Sequence, residues 1–286
     1  MAEGWIYALP FDHGVTSVGA ILRHDLAGDL VEQAVDDPAG AWHRLLARYP
    51  TLEAQWRSAT PRRPFASVAR LPYKLAAPTV PAAYWLPHGL AFFDPLFSTG
   101  IAWSLLSVER LAMVLTGEHG DGESHRLLCR QEAGQVEALV EAAHRALVDP
   151  ELFGAVARLY FATVSQAEAR QRLAPVEPGA SLGAWEGFLG AGDGRLRKLF
   201  RHTADSLRDM MGETPKVDRR AFLAELASRI RPFDVAGLDD PRHRNLIPVD
   251  LEILVERSHL LGLSRSEVLR ALPRLLGDAP PESVAG

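Results

Sequence analysis

The residues whose types suit ligand binding lie together in the stretch 85–102. An apolar run at 82–89 predicts a short strand that leads into a turn. An Asp-Pro pair at 94–95 then precedes a helix that opens with the small residues 98–100. The first amides of a helix lack intrahelical acceptors and carry partial positive charge. A planar, acceptor-rich ligand such as the pyrimidine edge of a flavin, or a halide, could approach them. The alternative is an ordinary Asx-Pro start of a helix with a Ser or Thr cap.

The elements that must position this stretch are mostly helices. Apolar residues at helical spacing predict a long apolar helix over 99–116, directly after the small residues. Proline and glycine punctuate the rest of the chain into further helices. These are predicted at 122–148, 150–171, 195–211, 218–230, 249–260 and 264–276.

The first part of the chain predicts strands as well as helices. Two β-rich runs at 5–10 and 16–22, joined by a turn at 11–15, predict a hairpin. Because an isolated hairpin is marginal in water, we expect it to join a larger sheet. Helices are expected next, at 25–35, at 38–48 and in a third segment that Thr51 would cap, and a strand is expected at 65–75.

Charge and cysteine content exclude several classes of protein. The 286 residues carry 31 Lys and Arg against 36 Asp and Glu, a net charge of −5, which disfavours a dedicated nucleic-acid binder. The single cysteine, Cys129, cannot form an intrachain disulfide, nor a metal site with two thiolates from one chain.

No apolar run is long enough to predict a membrane span. The longest, 101–115, is interrupted by two serines, Glu109 and Arg110. The first residues lack the basic and apolar regions of a secretory signal, so a cytoplasmic protein is expected.

Other groups of polar residues give weaker indications. His119 and His125 flank two carboxylates and could ligate a metal, but a loop between helices is the commoner explanation, and no metal site is predicted. The glycines at 190–194 do not have G-x-G-x-x-G spacing, and no G-x-S-x-G occurs.

Two ordered motifs resemble those of flavin-dependent halogenases and their monooxygenase-like relatives. The pattern F-x-x-P-x-x-S-x-G at 92–100 is similar to the signature of that family. The sequence W-I-Y-A-L-P at 5–10 resembles its W-x-W-x-I-P element, and G-x-x-S-V-G at 14–19 is similar to the strand that follows it.

This resemblance implies an α+β, predominantly helical chain with part of a p-hydroxybenzoate-hydroxylase-like FAD fold. Residues 1–82 would be a remnant of the substrate-binding β-sheet region with inserted helices. Residues 83–117 would supply the last strand and helix of the FAD-binding domain, and 118–286 a helical C-terminal domain. The G-x-G-x-x-G half is not found in the 286 residues, so a fragment of a longer enzyme is expected.

The resemblance also implies an FAD site. By position, 88–89 would lie near the ribityl–phosphate end, 94–95 would shape the turn beside the isoalloxazine, and the amides of 98–100 would face the flavin or a halide. The predicted cofactor-binding residues are His88, Gly89, Asp94, Pro95, Ser98, Thr99 and Gly100.

Aromatic residues beside this segment are candidates for a substrate wall. The resemblance places Trp5 between flavin and substrate, and Phe92 and Phe97 could line the same wall or belong to the core. No catalytic residue is assigned, because Phe97 stands where tryptophan halogenases carry a glutamate. The family's Gly-Asp pair before the Asp-Pro turn is also replaced, here by Pro87-His88.

The function expected from the resemblance is that of an FAD-dependent oxidoreductase that hydroxylates, dehydrogenates or halogenates a small organic substrate. A flavin reductase or a nicotinamide donor would supply electrons. The alternative is a non-catalytic remnant or a split-enzyme subunit, a helical interaction module with an exposed sheet edge at the hairpin.

Overall fold

A computed structural model describes most of the chain, in two compact units, Met1–Pro72 and Tyr73–Gly286. The described residues are 1, 3–76, 84–173, 186–212, 217–239 and 250–275.

The first unit begins with the predicted hairpin. Strands β1 (Gly4–Pro10) and β2 (Thr16–Leu22) are antiparallel, and Gly14 has φ 78° in the turn. Within the described residues this sheet has two strands, so the expected larger sheet is wrong for this part of the chain. Helices replace it, because Ile6, Ala20 and Leu22 pack against a small core of helical residues.

Three helices follow in the first unit: α1 (His24–Asp36), α2 (Pro38–Ala47) and α3 (Pro50–Trp56). The predicted cap at Thr51 is wrong, because α3 begins at Pro50 and Thr51 lies inside it. The first position of a helix needs no N–H donor, so proline is tolerated there.

Two predicted strands are largely replaced by other structure. Of the run 65–75, only β3 (Tyr73–Lys74) is a strand, and it pairs with β4 (Ala91–Phe92). Of the strand predicted at 82–89, residues 82–83 lie outside the described residues. For 84–89 the prediction is wrong, because no strand forms there and a short helix, α4 (Pro87–Leu90), begins. Pro87 has a φ suited to the first turn of this helix. In the run 65–75, Pro72 has no N–H group with which to donate a strand hydrogen bond.

The second unit is built from the predicted helices. Each of four helices begins after an aspartate whose carboxylate accepts a hydrogen bond from a first-turn amide: Asp121, Asp193, Asp218 and Asp250. The helices are α5 (Gly100–Thr116), α6 (Gly122–Ala146), α7 (Pro150–Leu173), α8 (Gly194–Met210), α9 (Arg219–Ile230), α10 (Leu251–Glu256) and α11 (Arg265–Leu275).

The core of this unit lies between α6, α7, α8 and α9. Leu139, Val156, Phe200 and Phe222 are buried in it. A smaller cluster joins the end of α7 to α10 and α11. The predominantly helical character is confirmed, and the finer FAD-fold assignment stays a prediction. Within the described ranges, no helix has the length and apolarity required to cross a membrane.

Candidate functional site

The segment 87–100 connects α4 to α5 through β4 and a tight turn. Asp94 is buried, and its Oδ1 accepts a hydrogen bond from the Leu96 amide at 2.7 Å. Its Oδ2 lies 2.9 Å from His144 Nε2 on α6. Both carboxylate oxygens are therefore engaged in fixing the turn and fastening it to α6.

The turn ends in an unusual backbone conformation. The Ser98 amide donates to the Pro95 carbonyl at 2.8 Å, and Ser98 has φ 52°. A non-glycine residue in this left-handed region costs about 1–2 kcal/mol. Such conformations occur more often at functional sites, where the surrounding structure holds them in place.

Helix α5 starts without the cap that the alternative interpretation requires. Thr99 is the N-cap residue, but its side chain accepts no hydrogen bond from the first turn. The first amides of α5 therefore have no side-chain acceptor from the cap residue, and they carry the positive end of a 17-residue helix.

His88 faces the start of α5. A Cβ placed on Gly100 would lie 2.8 Å from His88 Nε2, so only glycine fits there with the ring in this position. The other ring nitrogen, Nδ1, is 2.9 Å from Ser104 Oγ, and the His88 carbonyl accepts a hydrogen bond from the Tyr73 hydroxyl. His88 is exposed, as is the neighbouring Gly89.

The predicted wall residues of the second unit lie in different aromatic groups. Phe92 stacks on Tyr73, with ring centroids 6.4 Å apart. Phe97 packs on Tyr160 and Phe153 of α7, at 4.6 and 6.3 Å between centroids. Trp5 belongs to the first unit and packs on Tyr7, at 6.3 Å between centroids, so its place in a substrate wall stays a prediction.

Beneath this segment lies a fully buried polar network between α5 and α6. Arg110 donates to both carboxylate oxygens of Glu132, at 2.8 and 2.9 Å, and neither side chain is exposed. Glu132 also accepts from the Trp103 indole at 3.1 Å and the Phe188 amide at 2.8 Å. The carboxylate thus joins α5, α6 and the short 3-10 turn at 188–190.

The same network holds the only histidine–cysteine pair of the described residues within hydrogen-bonding distance. Arg110 Nε donates to His125 Nδ1 at 3.2 Å, which makes Nδ1 the acceptor of a neutral ring. His125 Nε2 lies 3.3 Å from the Trp85 carbonyl and 3.5 Å from Cys129 Sγ. The network thereby anchors the chain just ahead of α4.

Burial sets the protonation states of these groups. It lowers the pKa of His125, and the positive charge of Arg110 lowers it further. Burial also raises the pKa of the Cys129 thiol, with the Glu132 carboxylate acting in the same direction. The thiol is therefore a poor nucleophile at neutral pH, since the thiolate is the reactive form.

Sequence reasoning missed this network. It treated His119 and His125 as a loop pair, whereas His125 lies within α6 and is fully buried. Within the described ranges, no group of three or more His, Cys, Asp or Glu could hold a metal ion. The available signal was the polar row Ser104, Ser107 and Arg110 on one side of an apolar helix.

Comparisons with known proteins point to one group of enzymes. No family model matches the chain. The monodechloroaminopyrrolnitrin halogenase PrnC of Pseudomonas fluorescens is 30% identical over 111 residues, which are 38% of this chain and 20% of PrnC.

Solved structures of halogenase PltM have the same fold. One is similar with a TM-score of 0.68 at 19% identity, over 85% of this chain and 53% of PltM. PltM in complex with phloroglucinol and FAD gives a TM-score of 0.69 at 18% identity, over 86% and 53%. The chain therefore spans about half the length of the solved halogenases and a fifth of PrnC. The resemblance to flavin-dependent halogenases that the motifs predicted is confirmed, in sequence by PrnC and in fold by PltM.

Proposed function

We propose that this chain is the part of an FAD-dependent, halogenase-type oxidoreductase that closes one side of the flavin site. The observation that carries the proposal is the agreement of the two halogenase comparisons, one by sequence and one by fold. The PltM structure with FAD and phloroglucinol supports FAD as the cofactor and a small organic molecule as the substrate.

The residues of segment 87–100 fit a flavin. The uncapped start of α5 offers backbone N–H donors, which suit the carbonyl and nitrogen acceptors of a flavin pyrimidine edge. Gly100 leaves no side chain in front of these donors, and its place could not hold a Cβ without moving His88. When bound, FAD would supply the redox chemistry with dioxygen, which the protein side chains cannot.

The chain's own backbone and side-chain groups would bind and orient the flavin. Of the predicted amides at 98–100, those of Thr99 and Gly100 would hold the acceptor edge, because the Ser98 amide donates to the Pro95 carbonyl. His88, oriented by Ser104, would present Nε2 at the same place. Asp94 would act through the turn, because its oxygens are used by Leu96 and His144. Gly89 and Pro95 complete the cofactor segment in this proposal.

The substrate would lie beside Phe92, and the resemblance alone assigns Trp5 of the first unit to a substrate wall. Phe97 would support the segment from the side of α7, because Tyr160 donates to its carbonyl at 3.1 Å. Halogenation is the reaction to test first, since both named relatives are halogenases; hydroxylation and dehydrogenation are the alternatives. A flavin reductase or nicotinamide donor would supply the electrons.

The domain assignment follows the same proposal. Residues 1–82 would belong to a substrate-binding region, 83–117 to the end of the FAD-binding domain and 118–286 to a helical C-terminal domain. The contact between β3 and β4 and the start of α5 are the described elements that would border the cofactor.

The test is to purify the protein from the cells in which it naturally occurs and to measure how much flavin stays bound to it. We expect FAD to be released on denaturation and identified by chromatography and mass. Gly100→Trp fills the approach to α5 and displaces His88, so we expect it to lower the FAD content about tenfold or more, equivalent to about 1.4 kcal/mol of binding.

Gly154→Trp is the matched control. Gly154 is exposed on α7, and nothing lies within 4 Å of a Cβ built there. We expect this variant to retain the FAD of the parent protein. Absence of FAD from the parent even after incubation with excess flavin would contradict the proposal. Equal retention by both tryptophan variants would remove the site assignment.

A further inference from the structure

The outer face of α5 is apolar and exposed. Four residues define it, here named the α5 stripe: Ile101, Leu105, Val108 and Leu115, which are 77%, 64%, 46% and 67% exposed. Their spacings of four, three and seven residues place them on one side of the helix. The exposed positions between them, Ala102 and Ala112, are also apolar.

The polarity of α5 is the reverse of that of an ordinary surface helix. Ser107 and Arg110 are completely buried on its inner face, while the leucines of the stripe face outward. A surface helix normally presents charged residues to water. Contiguous exposed apolar surface of this kind marks an interaction site.

The stripe is too small to hold two copies of this chain together by itself. The 14 residue steps from Ile101 to Leu115 extend about 21 Å, and a helix is about 10 Å wide. Pairing two copies along this helix alone would bury far less than the roughly 800 Å² per partner of a stable interface. A larger module, of which this contact is one part, fits better.

The structure of PltM contains a candidate for such a module. The match to PltM uses 53% of its length, so 47% of that halogenase fold (100 − 53) does not align with these residues. The stripe lies on the helix that directly follows segment 94–100, where the flavin is proposed to bind. An apolar partner surface is required, because none of the exposed positions named above is charged.

We infer that the α5 stripe is the docking surface for the part of the halogenase fold with which this chain does not align. The identity of this occupant rests on the proposed function. Its contact surface would be apolar, and it would bring the remaining groups of the flavin site to the start of α5.

Photo-crosslinking tests the inference in the intact protein. A photoreactive phenylalanine derivative replaces Leu105 in the protein as its own cells produce it, and the crosslinked peptides are sequenced by mass spectrometry. We expect a crosslink to a segment that aligns with the unmatched 47% of PltM. Both a segment on the same polypeptide and one on a separate polypeptide would support the inference. The matched control carries the probe at Leu269 of α11, which is 54% exposed and should not give this product.

Other products would overturn the inference. A crosslink to α5 of a second copy would show a homo-oligomer contact. A crosslink to a protein without likeness to PltM, or a probe at 105 that reacts only with solvent, would also exclude the proposed occupant.

A charged variant separates docking from flavin binding. With the photoreactive residue at Val108 of the stripe, Leu105→Glu should lower the yield of the crosslink to the occupant about tenfold, whereas Leu269→Glu should not. The photo-crosslink does not depend on FAD, so the expected product without bound FAD would keep the docking surface and contradict the proposed cofactor. Bound FAD together with a crosslink to a second copy would support the proposed cofactor and contradict the proposed docking surface.

Discussion

The two faces of α5 differ in polarity in the opposite sense to an ordinary surface helix. The inner face buries a guanidinium, which is tolerated because Glu132 accepts two of its hydrogen bonds. The outer face exposes leucine and isoleucine. The comparison teaches that hydrophobicity alone does not decide which residues of this helix are buried, because Arg110 is buried with its partners while leucines are exposed. Arg110 has Glu132, His125 and Cys129 as partners inside, whereas the stripe residues are exposed.

The inner face also explains how the candidate site could be held rigid. The network connects α5, α6, the turn at 188–190 and the Trp85 carbonyl, and the cofactor segment lies between the last of these and α5. A buried ion pair is not in itself evidence of stability, because desolvation offsets most of the attraction. We expect its contribution here to be the selection of one register of α5 against α6.

The largest expected effect comes from breaking the inner face. Glu132→Ala leaves the Arg110 guanidinium buried without its carboxylate, and the Phe188 amide and Trp103 indole lose their acceptor. Removal of one partner of a buried pair costs about 3–5 kcal/mol. Urea denaturation should show this loss in the free energy of unfolding.

Glu137→Ala on the same helix is the control. Glu137 is paired with Lys74 at 2.6 Å, but both side chains are about half exposed. Exposed pairs contribute less than about 1 kcal/mol. Equal losses for the two variants would mean that water reaches Glu132, and the contrast between the faces of α5 would fail.

The second prediction concerns pH. Burial and the nearby Arg110 lower the pKa of His125 in the folded protein below the ordinary value of 6.5. As pH falls below 6.5, the unfolded state binds a proton that the folded state does not, so the protein should lose stability. The loss has a slope of at most about 1.4 kcal/mol per pH unit and ends at the lowered pKa.

Comparison of urea denaturation at about pH 7.5 and about pH 5.5 measures this loss. In His125→Gln the slope should decrease, whereas His119→Gln, at an exposed position of the preceding loop, should keep it. The charged groups around the ring are Arg110, Glu132 and Arg126, and each stays in both variants. An unchanged slope in His125→Gln would show that the ring is already protonated or hydrated in the folded state.

The sequence predicted the helices better than the strands. Helices such as α6 and α7 carry long apolar periodicities, and their starts are marked by Asp121 and Pro150. The strand predicted at 65–75 failed beyond Tyr73–Lys74, because a β pattern forms a strand only where a partner strand is available. Pattern alone cannot specify that partner.

The candidate site was predictable only in part. The small residues before α5 marked the segment, and the start of that helix is confirmed at Gly100. The position of His88 over Gly100 was not predictable, since it depends on the short helix that Pro87 begins. The Arg110–Glu132 pair was missed because its members are 22 residues apart and lie on different helices. The same serines and arginine that excluded a membrane span also marked the inner face of α5.

The smallest expected effect belongs to the outer face, and it bears directly on whether the stripe is free in the 286-residue chain. Leu105→Glu and Leu115→Lys should each change the free energy of unfolding by no more than about 0.5 kcal/mol, as is usual for exposed positions. Leu139→Ala, at a position 1% exposed in the α6 core, should cost about 2–5 kcal/mol and shows that the assay detects lost packing. A loss of more than about 2 kcal/mol is typical of substitutions at buried leucines. If Leu105→Glu lowers the free energy of unfolding by that much, the stripe is already covered in this chain. Urea denaturation at several protein concentrations then shows whether a second copy covers the stripe. Only a contact between copies makes the loss in the free energy of unfolding depend on protein concentration.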